Sequence, residues 1–77
     1  MSKQSAHKLV ICLENHGYEV SLERRKVYVA LEDAAADALG LLRIIDESGE
    51  DFLYPTAQFI DARLPAAVRD AILRSAA

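Results

Sequence analysis

The sequence predicts a mainly β domain: a small five-strand barrel, a short connecting helix at about residues 34–39, and a C-terminal α-helix at about 65–74. Three observations predict it. Residues 8–13 and 26–31 are short apolar runs rich in β-branched side chains, too short for buried helices. Asp46-Glu47-Ser48-Gly49 separates two further apolar runs, the signature of a tight hairpin. Pro55 closes the second of these runs, and a proline cannot donate to a sheet ladder.

In chain order, residues 1–7 are polar and without period, which predicts a disordered tail ahead of one domain at 8–77. Asn15-His16-Gly17 ends the first strand. Tyr18, Val20 and Leu22 alternate with polar residues in a weak extended pattern, so residues 18–25 are expected to fold back over the barrel mouth as a partly ordered loop. After the second strand, Asp33 suits a helix N-cap and Gly40 the position beyond a helix end, with Leu39 expected to pack on the sheet.

The hairpin allows a register to be argued. Asp46 and Gly49 suit the first and last positions of a type I turn followed by a bulge. Pairing Asp46 with Glu50 sets Ile44 opposite Phe52 and Leu42 opposite Tyr54, which gathers four large apolar side chains on one face. Residues 56–58 fit one 3₁₀ turn and 59–62 a last short strand. Pro65 suits a helix start. Leu64, Val68, Ala71 and Ile72 then follow at helical spacing, predicting a helix that covers a barrel opening or sheet face.

This order of strand, long loop, strand, connection, hairpin, 3₁₀ turn and short strand resembles the Src-homology-three-like small barrel over residues 8–62. Lys26-Val27-Tyr28 and the run from Asp46-Glu47-Ser48-Gly49-Glu50-Asp51 to Tyr54-Pro55 are also similar to a family of short, uncharacterised bacterial proteins, which brings no assigned activity. The proline-rich ligand class of true Src-homology-three domains does not carry over, because their aromatic groove includes a tryptophan and this chain has none.

Composition narrows the function classes. Hydrophobic residues make up 52% of the chain and charged residues 27%, so a folded domain is expected rather than disorder. A net charge of −3 is the wrong sign for a general nucleic-acid binder. Cys12 is the sole cysteine, which excludes an intramolecular disulfide, and no apolar run is long enough to cross a membrane. The expectation is a soluble, cytoplasmic bacterial protein without a membrane partner.

No catalytic set, glycine-rich phosphate loop or zinc-ligand pairing can be assembled from these residues, so neither an enzyme nor a cofactor or metal site is expected. Cys12, inside an apolar strand, reads as a buried thiol. The acidic tip Asp46, Glu47, Glu50 and Asp51 reads as a solvated hairpin end that deters edge association. Phe52, Tyr54 and Phe59 read as packing residues, whereas Tyr18 and Tyr28 are the candidate partner-binding residues, one in a loop and one on a strand. The resulting expectation is a non-catalytic interaction or regulatory module with a protein partner or a second copy of itself. The alternative is a nucleic-acid-associated regulator using Arg24, Arg25, Lys26 and Arg43.

Overall fold

The computed structural model describes residues 7–75. The expected tail lies outside them, except that His7 already belongs to the first strand. The elements are β1 (His7–Cys12), β2 (Val27–Leu31), α1 (Ala34–Ala38), β3 (Leu41–Ile45), β4 (Asp51–Pro55), a 3₁₀ turn (Thr56–Gln58), β5 (Phe59–Asp61) and α2 (Ala66–Ser75). Among the described residues the domain is mainly β: five antiparallel strands form one sheet in the order β4-β3-β2-β1-β5, with two α-helices. No helix among the described residues is long and apolar enough to cross a membrane.

The hairpin register is the expected one. Ile44 lies opposite Phe52 and Leu42 opposite Tyr54. The Gly49 N–H donates to the Asp46 carbonyl at 2.9 Å, and Gly49 sits at φ +85°, a conformation that glycine reaches without a Cβ penalty.

The barrel, however, is not closed. β4 and β5 end the strand order and are not paired with each other. Pro55 has no N–H to donate, and the 3₁₀ turn follows at once. Side chains bridge the gap instead. Tyr54 of β4 meets Phe59 of β5 edge-on, with ring centroids 6.3 Å apart, inside a buried cluster that includes Val10, Cys12, Tyr28, Ala30 and Ile44.

Four expectations are corrected by local physics. Residues 18–22 are not extended. Ser21 and Leu22 both donate backbone N–H groups to the Tyr18 carbonyl, at 3.0 and 2.9 Å, which makes one tight turn. That turn drops Leu22 fully into the core and leaves Val20 95% exposed, so the apparent alternation does not reflect a strand. In α1 the Asp33 cap forms, accepting the Ala36 N–H at 3.0 Å, but Ala36 is the buried residue and Leu39 is 73% exposed. Phe52 shares a face with Ile44 and Tyr54, yet stands at the sheet edge and stays half exposed.

The fourth correction is α2. It does not anchor a face in the core: none of its side chains is fully buried, Ile72 and Leu73 are half-buried, and Val68 is 45% exposed. Ala66, Ala67 and Ala71 leave it little apolar area with which to anchor.

The loop correction gives a test. Leu22→Ala is expected to cost about 2–5 kcal/mol because it opens a cavity in a small core. Val20→Ala should stay within about 0.5 kcal/mol, as for other exposed sites. Urea denaturation of the two variants checks the pair.

Candidate functional site

The Asp46–Glu47 end of the hairpin is not simply solvated. Asp46 is buried at 6% exposure. Its carboxylate accepts Ser48 N–H at 2.9 Å, Ser48 Oγ–H at 2.6 Å and the Tyr54 hydroxyl at 2.5 Å. Burial pushes its pKa up, but the Ser48 and Tyr54 bonds outweigh burial and leave the carboxyl below its ordinary value. Burial and the Asp46 carboxylate both push the Tyr54 phenol upward.

Glu47 is the second anchor. It accepts Lys26 Nζ at 2.6 Å and the Tyr28 hydroxyl at 2.5 Å, and these two bonds hold its pKa below the usual range. The Glu47 backbone N–H donates to the Ser21 carbonyl at 3.0 Å, which ties the β1–β2 loop to the hairpin. The Tyr28 hydroxyl also accepts the Glu23 N–H at 2.7 Å. Burial, followed by the Glu47 bond, keeps this phenol protonated well above the ordinary tyrosine range.

This frame decides where each candidate residue stands. Tyr28 is 5% exposed and offers no ring face to a partner, so it does not join Tyr18 in an exposed patch. Tyr18 does face solvent at 37% exposure, with its ring held edge-on against Tyr54 at 5.0 Å. It lines an open cleft of about 280 Å³ together with Ser21, Asp46, Phe52, Leu53 and Tyr54. Phe52 and Leu53 are 49% and 40% exposed. They were missed as surface candidates, although the terminal Pro55 marks their strand as an edge.

The basic residues are not one free surface. Lys26 is paired with Glu47, and Arg43 is divided between Asp33 at 2.7 Å and Asp51 at 3.1 Å. Arg24 reaches the Leu13 carbonyl at 3.4 Å, and Arg25 is turned by a positive φ of 67°. Cys12 is fully buried, and burial raises its pKa, which disfavours the thiolate.

The cleft beside β4 is also where backbone groups are open. Asp46 N–H to Glu50 O at one end and Thr56 N–H to Gly40 O at the other fix the phase of the β3–β4 ladder. In that phase Phe52 and Tyr54 bond inward to β3, while the N–H and C=O groups of Asp51 and Leu53 point away from the sheet. The candidate site is therefore the free edge of β4 with Tyr18, Phe52 and Leu53 beside it. Comparisons with protein-family models, with curated proteins and with solved structures give no match for this chain.

The carboxylates set a pH dependence. Asp46, Glu47 and Asp33 all have lowered pKa values in the fold. The unfolded chain, with carboxyls near about 4, thus binds more protons as pH falls. Stability should be fully present above about pH 5 and lost as pH falls through about 4 and below. Asp46→Ala should cost about 1–3 kcal/mol at neutral pH by orphaning the Tyr54 hydroxyl, and should flatten the acid limb. Thermal melts of both proteins from pH 7 to pH 3 check this.

Proposed function

We propose that this domain is a non-catalytic protein-interaction or regulatory module that receives a partner along the β4 edge. One observation carries the reading. Tyr18, Phe52 and Leu53 expose apolar surface on the same cleft, against a strand whose outer hydrogen-bonding groups are unpaired in the sheet. Exposed aromatic groups held on a rigid support are favoured at interfaces. Tyr18 is so held, by Tyr54 beneath it and by the turn at 18–22.

A free edge selects an extended partner segment, since its backbone recognises another strand and its side-chain neighbours set the sequence preference. This mode needs no tryptophan groove. The Src-homology-three-like topology is supported by the strand order, the long β1–β2 loop and the 3₁₀ turn between β4 and β5. A lone buried thiol suits a reducing, cytoplasmic setting.

The test uses the full chain as bait in cell extract, beside a Tyr18→Ser, Phe52→Ser double variant. Both positions are partly exposed, so the double variant is expected to keep its melting temperature within a few degrees. The wild type should retain specific proteins that the double variant loses. Recovery of the same proteins by both, or of none by a monomeric wild type, would overturn the reading.

A further inference from the structure

Basic side chains that stand far apart in the sequence meet at a second place. His7 and Lys8 open β1, Arg63 lies between β5 and α2, and Arg69 stands near the start of α2. All four line one cavity of about 150 Å³. The lone carboxylate on its wall, Asp61, already accepts the Arg63 backbone N–H at 2.9 Å. Arg69 makes one 3.3 Å contact with exposed Asp70, and neither Lys8 nor Arg63 has an ion pair among the described residues.

Lys26 and Arg43 are each matched to carboxylates, and the chain as a whole carries −3. Lys8, Arg63 and Arg69 thus reach one cavity from three segments, with Asp61 the one carboxylate among its lining residues. Like charges held together repel, and an anion placed among them relieves that repulsion.

We infer that this cavity binds a small phosphate-type dianion, either free phosphate or the terminal phosphate of a monoester. Two guanidinium groups supply forked donors that match phosphate oxygens, and the lysine ammonium adds a point charge. A cavity of about 150 Å³ has room for a phosphate group. A monoester phosphate carries nearly two negative charges at neutral pH, which suits three cations better than a singly charged diester does. The cavity is open to solvent, so the remainder of an ester extends outward. The site is separate from the proposed β4 edge and shares none of its lining residues.

The experiment is a titration of the ¹⁵N-labelled full chain with inorganic phosphate, using chloride to hold ionic strength constant. Saturable shifts are expected at the amides of Lys8, Arg63 and Arg69. Glycerol phosphate should move the same signals, and an oligothymidylate should not. A K8Q/R69Q double variant, altered only at exposed side chains, should bind phosphate at least tenfold more weakly with its other signals in place. R63G tests the third cation and suits the positive φ of 52° found there. Saturation by phosphate alone, or by glycerol phosphate as well, supports the inference and separates the two sources. Shifts that do not saturate, that chloride reproduces, or that survive both variants unchanged would overturn it. Tighter binding of the oligothymidylate at the same residues would also overturn it, in favour of a nucleic-acid backbone.

Discussion

A buried carboxylate is the constraint on which this fold turns. Asp46 is withdrawn from water at the end of β3, a position that an ion holds only when donors replace its hydration. Three donors do so, two from Ser48 and one from Tyr54. The same contacts that compensate the charge therefore fix the turn and orient a core tyrosine. Tyr54 in turn meets Tyr18 and Phe59, so one carboxylate links the hairpin turn to the loop and to the last strand. Glu47 extends the frame by accepting from Lys26 and Tyr28 while its N–H holds Ser21.

This frame also explains how surface chemistry is divided. The acidic residues of the hairpin and of the α1 cap engage Lys26 and Arg43, which removes those cations from any basic surface. Lys8, Arg63 and Arg69 instead line one cavity beside Asp61. Net charge alone hides this asymmetry. A chain at −3 can still hold a local positive cavity, because exposed charges more than about 10 Å apart are largely screened from one another.

The legible parts of the sequence were those under local control. The hairpin register follows from Asp46, Gly49 and the pleat, and the α1 cap follows from Asp33. The 3₁₀ turn follows from Pro55 and the short span before Phe59. What escaped was decided by tertiary contact. Nothing near Leu22 announces a tight turn that buries it, because no proline or glycine lies between Tyr18 and Arg25. Asp46 reads as one of four surface acids, and its burial depends on Ser48 together with Tyr54, eight residues on. Of the two candidate tyrosines, Tyr18 stays at the surface and Tyr28 does not, since alternation on β2 directs Tyr28 inward with Ala30. The basic cavity joins residues more than fifty positions apart, which no local pattern records.

Core size then accounts for the apolar residues left outside. A domain of this length buries only about 60% of the surface its unfolded chain exposes. One cluster of nine side chains, drawn from the five strands and Leu22, fills the interior. Val20, Leu39, Ile60 and Val68 consequently remain exposed, and isolated apolar residues on a surface need no functional explanation. Phe52 and Leu53 differ because a second feature coincides with them. Their strand, like the β5 that carries Ile60, is a sheet edge, but a rigidly supported Tyr18 lines their cleft. Exposure alone does not distinguish these residues from Val20. The combination of apolar side chains, unpaired sheet edge and fixed aromatic ring does, and it singles out β4 from among the exposed apolar sites as the place where an added strand would gain both hydrogen bonds and buried area.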